Sequence, residues 1–194
     1  LFIIGSDFNH KALEETKKTI QKANIWAKTA IGDVSDPKSL AKKIKDKYQI
    51  KLSDLLNIRS FLDHNRIYKK PNQKNYKISN STGAFCYKGD LIDNSCLQQN
   101  LKEHFRKWAP YIKKYGLLIV ELHTINPIKA AQNIGKTPIT AYDASHGFSD
   151  QYIIEYDIFL ETALEAGLKP DSRHEYIFPS KKIPIVSINR LITN

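Results

Sequence analysis

Methionine is absent from all 194 residues, and cysteine occurs only twice, at Cys86 and Cys96. The two cysteines lack CxxC spacing, so neither a zinc site nor a redox pair is indicated. Two unpatterned thiols suit a reducing compartment, and the expected location is the cytoplasm. The missing methionine, at position 1 as elsewhere, gives the expectation of a piece of a longer protein, or of a sequence from which modified methionines have dropped out. No apolar run approaches the roughly 20 residues of a membrane span. Leu1–Gly5 is too short, and lacks the basic flank, to be a signal peptide. Glycine-rich phosphate loops are missing too: neither GxGxxG nor GxxxxGK(S/T) occurs, which argues against an intact dinucleotide or triphosphate site. HExxH is absent, and no facial triad of metal ligands can be defended.

What is present is a chain of ordinary soluble composition, 41% hydrophobic and 26% charged, of a length that suits one domain with its own core. Thirty Lys and Arg against twenty Asp and Glu give a net charge of +10. Such an excess fits nucleic acid, a membrane surface or an acidic protein partner. Most of the basic residues fall in helical runs (Lys42, Lys43, Lys45, Lys47) or in pairs (Lys113–Lys114, Lys181–Lys182). No single stripe is interleaved with stacking aromatics, so solvated helix faces are the expectation and nucleic acid and membrane are not.

The hydrophobic pattern alternates between strand and helix. Leu1–Ile4, closed by Gly5-Ser6-Asp7, reads as a buried parallel strand. Asn9 caps a helix over about Lys11–Ala23, and a second strand spans Ile25–Ile31. Asp36-Pro37 starts a helix over Lys38–Tyr48. A third strand covers Leu55–Leu62, and the polar segment 69–94 reads as an insert or lid. Leu97, Leu101, Phe105, Trp108 and Ile112 mark one face of a helix over Ser95–Tyr115, ended by Gly116. LLIVEL, Leu117–Leu122, is the strongest strand. A loop follows, then a helix over Tyr152–Ala166 and two strands, Glu175–Phe178 and Ile185–Leu191. This order predicts an α/β fold with a doubly wound, mostly parallel sheet and an antiparallel hairpin at its C-terminal edge.

In such sheets ligands sit beyond the carboxyl ends of the strands. Asp7, Asp33, Asp63–Arg66 and His123 collect there, and two stretches carry the polar density: ELHT at Glu121–Thr124, and AYDASHGFSDQ at Ala141–Gln151. An acid ending the first strand commonly accepts hydrogen bonds from ribose hydroxyls, which is the role open to Asp7. Asp33 is placed to meet an adenine edge; either acid alone also reads as a helix cap or turn residue. His123 is a candidate metal ligand, and the amide oxygen of Gln151 suits Fe or Mn better than Zn. Both also read as a hydrogen-bonded structural pair in a polar loop. His146 and Asp143 could orient such a first shell, while Arg66 and Arg59 could meet an anionic substrate.

The segments SDFN (6–9), GDVSDP (32–37), IRSFLDHNR (58–66), STGAF (81–85), QQNLKEHFRKWAPYIKKYGLLIVELHT (98–124) and AYDASHGFSDQY (141–152) together carry a resemblance that covers most of the chain. The chain resembles a class I S-adenosylmethionine-dependent methyltransferase entered at its second strand. More narrowly, it resembles the metal-dependent methyltransferase domains of bacterial polyketide synthase loading modules, of the apratoxin and gephyronic acid type. The resemblance implies S-adenosylmethionine, an Fe or Mn centre on His123 and Gln151, and methyl transfer to a malonyl-type unit on an acyl carrier protein. It implies Asp7, Asp33, Phe61 and Asp63 as the cofactor-binding set and His123, Gln151, His146 and Arg66 as the catalytic set. An acidic carrier protein is a partner that the +10 charge would suit.

The family's first strand and its glycine-rich loop have no counterpart, so the expected domain is N-terminally truncated, with little activity of its own. Two other classes remain open: a docking or structural remnant without catalysis, and a metal-dependent decarboxylase of the same malonyl unit.

Overall fold

The computed structural model describes residues 2–72, 76–136 and 150–193. Strand β1 (Ile3–Asp7) leads through Asn9, whose side chain accepts from the amides of Lys11 and Ala12, into helix α1 (His10–Lys22). Strand β2 (Ala27–Ile31) returns parallel to β1, with Asp7 opposite Ile31. Helix α2 (Pro37–Tyr48) starts on an Asp36 cap with proline in its first turn, and buries Leu40 and Ile44. Strand β3 (Asn57–Ser60) is short. The predicted insert contains a hairpin, β4 (Phe85–Tyr87) and β5 (Asp90–Ile92).

Helix α3 runs over Asn94–Trp108 rather than to Tyr115, and a turn of 3-10 helix follows at Ala109–Tyr111. Pro110 has no amide to continue the α-helical ladder, which is why the helix stops there. Gly116 therefore lies in the approach to strand β6 (Leu117–Leu122), not at a helix end. Helix α4 (Pro127–Gln132) occupies part of the predicted loop, capped by Asn126. Helix α5 (Tyr156–Glu165) begins later than its apolar pattern indicated, because residues 152–155 run extended. Gly167, at φ 84°, follows it.

The closing strands are longer than predicted: β7 covers Leu168–Ser180 and β8 covers Ile183–Thr193. They form the expected antiparallel hairpin, but β8 lies inside the sheet and only β7 is at its rim. The strand order is β3-β6-β8-β7, with β3 and β6 parallel and β8 antiparallel to β6. β1 and β2 form a separate parallel pair. Among the described residues neither β1 nor β3 has a strand partner on its second side. One core nevertheless joins both sheets: Ala30, Leu40 and Ile44 from the β2–α2 side pack with Phe105, Trp108, Ile119 and Phe159. Among the described residues no helix is long and apolar enough to cross a membrane.

Candidate active site at the strand ends

The carboxyl ends of β1 and β2 adjoin. The amide of Gly32 donates to the carbonyl of Asp7 at 3.0 Å, which ties the end of β1 to the turn after β2 that carries Asp33. Each acid uses one carboxylate oxygen as a turn cap: Asp7 Oδ1 accepts from the Asn9 amide at 2.8 Å and Asp33 Oδ1 from the Ser35 amide at 2.7 Å. Both carboxylates are half-buried, and among the described residues their second oxygens have no hydrogen-bond partner. Capping and ligand contact are thus compatible at both positions.

The end of β3 turns sharply. Phe61 sits at φ 56°, a left-handed conformation that a phenylalanine rarely adopts, and its ring is substantially exposed. Strain of this kind costs about 1–3 kcal/mol and persists where surrounding contacts over-determine it; here the Phe61 amide is fixed to the Val120 carbonyl of β6 at 2.8 Å. The turn throws Asp63 inward. Its Oδ1 meets Arg59 Nη1 at 2.6 Å and His104 Nε2 at 2.8 Å. Burial opposes the Asp63 charge, but Arg59 and His104 hold the carboxyl down at about 2. Asp63 therefore belongs to an internal network and presents nothing to a cofactor in this arrangement.

His104 Nε2 also lies 2.9 Å from Arg59 Nη1. A guanidinium only donates, so the ring nitrogen accepts from Arg59 in one tautomer or donates to Asp63 in the other. Burial lowers the His104 pKa to about 4, against the pull of Asp63, so the ring is neutral at pH 7. Arg59, which the sequence offered to an anionic substrate, is buried under the Trp108 ring, its guanidinium 4.6 Å from the ring centre. Arg66 is buried as well, with Nε donating to Asn100 Oδ1 at 2.7 Å and Nη1 to the Asp63 carbonyl at 2.9 Å. Burial lowers its pKa to about 10, which still leaves it charged.

His123 extends β6 by one residue, its amide bonded to the Ile185 carbonyl at 2.7 Å. The imidazole is wholly enclosed between Tyr156 and Phe159, whose ring centres lie 5.1 Å and 5.2 Å away. Nδ1 is 3.2 Å from the Ile154 carbonyl, which can only accept, so Nδ1 carries the proton. Nε2 then accepts from Ser187 Oγ at 2.7 Å. Burial drops the pKa to about 3, so the ring stays neutral. Nδ1 is protonated, and the Nε2 lone pair is taken up by Ser187 inside a wholly enclosed site. His123 in this arrangement does not fit a metal.

Gln151 is half-buried, and the residue after it anchors the segment: the Tyr152 amide donates to the His64 carbonyl at 2.8 Å. Three residues beyond Gln151, the Ile154 carbonyl meets His123. The extended stretch 151–154 thus stitches the end of β3 to the end of β6. His146 and Asp143 lie outside the described residues.

Sequence reasoning passed over several groups. Glu121 is buried and receives the His64 amide at 3.1 Å while its other oxygen contacts His64 Nδ1; it fixes the β3 turn against β6. Glu155 accepts from Ser81 Oγ, the Thr82 amide and Thr82 Oγ1, each at 2.7 Å, and so clamps the insert to the start of α5. His104 had a readable signal, since it interrupts the apolar stripe of α3 one position before Phe105. Ser187 and Glu155 had none, because their partners are distant in sequence.

Acids at the carboxyl ends of adjacent parallel strands stand where α/β folds commonly meet a nucleoside cofactor. The chain matches a methyltransferase family, that of the AprA MT2-like domain, over residues 1–189, and it belongs to that family. No curated protein matches it. Among solved structures it is similar to an O-methyltransferase (NcsB1) from neocarzinostatin biosynthesis, in complex with S-adenosyl-L-homocysteine and 1,4-dihydroxy-2-naphthoic acid. That likeness has a TM-score of 0.49 and 10% identity, and covers 100% of this chain and 49% of the other. LepI in complex with SAM is also similar, at a TM-score of 0.44 and 8% identity, covering 100% of this chain and 42% of that one. The chain spans about half or less of the length of these solved structures.

Proposed function

We propose that the domain transfers a methyl group from S-adenosylmethionine to the activated carbon of a malonyl-type unit held on an acyl carrier protein. The observation that carries the cofactor half is the pairing of Asp7 and Asp33 at adjoining strand ends, each with an oxygen to spare after capping. Asp7 would accept from the ribose hydroxyls and Asp33 from the adenine edge. Phe61, exposed at the end of β3, would offer an apolar face. The residues of the strand ends contribute binding and orientation, bringing the sulfonium methyl in line with the attacking carbon. In the step itself the carbon to be methylated would first give its proton to a base of the solvent. Its electron pair then forms the new carbon–carbon bond as the sulfur–methyl bond breaks and sulfur keeps its pair.

The family resemblance also brings Fe or Mn on His123 and Gln151. That site would require His123 Nε2 to release Ser187 and the wholly enclosed ring to become accessible, so no step here runs through a metal. Isothermal titration with S-adenosylhomocysteine tests the reading. Asp7→Asn preserves the cap on Asn9 but removes the charge, and should weaken binding roughly tenfold, the scale of one lost hydrogen bond to a charged group. Failure of the wild type to bind the ligand sinks the proposal. The malonyl half is tested separately, by mass spectrometry of malonyl-carrier protein incubated with enzyme and cofactor: a gain of one methyl group supports it.

A further inference from the structure

A second concave feature lies between the β2–α2 loop, the residues after β3, and α3. Arg66, Lys69, Lys70 and Lys107 line it, with Ser35 in the wall and Glu103 as its one acid. Its volume is about 120 Å³, well under the roughly 300–1,000 Å³ of pockets that enclose whole organic ligands. It holds a chemical group, not a molecule.

The cations here are unspent. Among the described residues, Lys69, Lys70 and Lys107 form no ion pair, unlike Lys18, Lys77, Lys102 and Lys114, which do. Glu103 is occupied by the side-chain amide of Gln99 at 3.2 Å. Arg66 is the fixed member: Asn100 and the Asp63 carbonyl hold its Nε and Nη1, and the Arg66 side chain also lies over the Tyr152 ring, 5.5 Å from its centre. Among the described residues Nη2 has no partner. Ser35 adds an independent sign: it is nine-tenths buried, and its hydroxyl has no hydrogen-bond partner among the described residues. A buried hydroxyl without a partner is costly unless something supplies one. His104, the remaining titratable group in the wall, is neutral at pH 7 and opposes no anion.

We infer that this cleft is a binding site for a phosphate group, with Arg66 as the pre-set guanidinium, Ser35 as a hydroxyl donor, and Lys69, Lys70 and Lys107 as a closing ring of charge. A tetrahedral oxyanion matches this set: Arg66 is held with Nη2 left to donate, and the ammonium groups supply unoriented charge. S-adenosylmethionine carries no phosphate, so the site is distinct from the cofactor contacts of Asp7 and Asp33, and it does not depend on methyl transfer. The phosphate is either free in solution or the ester at the head of a larger organic arm.

The test is calorimetric titration of the 194-residue chain at low salt with inorganic phosphate and, separately, with 4′-phosphopantetheine. Saturable binding of one equivalent is expected, weakening as salt rises. Lys70→Glu with Lys107→Glu should cost tenfold or more, and Ser35→Ala a smaller loss; reversal of Lys11 and Lys22 on α1 should cost nothing. Tighter binding of the pantetheine ester assigns the site to an arm-borne phosphate, whereas equal affinity assigns it to the free anion. Absence of binding overturns the inference, as does binding that the α1 reversals weaken as much as the cleft reversals.

Discussion

Arg59 and Asp63, four residues apart across the turn that ends β3, form an ion pair of 2.6 Å in which the side chains are 4% and 1% exposed. The pair is incompletely satisfied: Arg59 Nε and Nη2 and Asp63 Oδ2 have no partner among the described residues. Removing one member strands a buried charge, which costs about 3–5 kcal/mol, whereas replacing both with apolar groups is often close to neutral. Arg59→Met is therefore expected to destabilise strongly, and Arg59→Met with Asp63→Leu to recover much of the loss. Urea unfolding of the two variants checks this. With Asp63→Leu measured alone as well, simple additivity of the two single changes would show that the pair is not coupled.

Acid should loosen the fold well above the range in which carboxylates titrate. His104 and His123 are neutral in the folded chain, with pKa values brought to about 4 and about 3 from an ordinary 6.5. Below pH 6.5 the unfolded chain takes up protons that these buried rings refuse, so stability falls as pH falls. The loss runs to about pH 4 for His104 and about pH 3 for His123, at up to roughly 1.4 kcal/mol per pH unit for each ring. Asp63 works in a lower window: its stabilisation is present above pH 3.8 and is lost as pH drops toward about 2. Unfolding measured at pH 7, 5.5 and 4.5 should show this slope, and His104→Gln should make it shallower. An unchanged slope in that variant would falsify the assignment to His104.

Gly116 cannot be exchanged cheaply. It sits at φ 81°, and an added Cβ would stand 2.7 Å from the Leu191 carbonyl of β8. Gly116→Ala is expected to cost more than 1 kcal/mol, from left-handed strain and from forcing β8 away. The reading is a lower melting temperature; a variant as stable as the wild type would mean that the Leu191 backbone gives way without cost.

If the protein carries Fe or Mn, its metal content should not depend on His123. His123→Gln retains an amide that can bond Ser187 or Ile154, and circular dichroism establishes that it folds. Elemental analysis should then find the same metal per chain as in the wild type. A selective loss in the folded variant would show that His123 leaves Ser187 to bind metal.

The order of strands and helices was legible because long amphipathic segments carry their own period. Helix α1 and helix α2 begin where Asn9 and Asp36 announce them. What failed was short or non-local. β4, β5 and α4 are too brief to show a period, and the α3 stripe ran on through Ile112 although Pro110 had already ended the helix. Prolines misled in the opposite direction at the last hairpin. The expected strand Glu175–Phe178 stops short of Pro179, yet β7 runs through both Pro170 and Pro179, as a rim strand that tolerates a missing amide can. At the site, Asp7 and Asp33 could be placed from sequence because a strand end is a local feature. The enclosure of His123 could not, since Ser187 reaches it from β8, Ile154 from the segment before α5, and Tyr156 and Phe159 from α5.

Among the described residues β1 and β3 each lack a neighbour on one side, and this has a consequence for handling the protein. A strand without a neighbour is a template for any other chain that can pair with it. At low ionic strength the +10 charge keeps copies of this chain apart, but salt above about 0.1 M screens charges separated by more than ~10 Å. The conditions that keep most proteins comfortable are therefore those in which this one should begin to self-associate, rim to rim, with its folded interior intact.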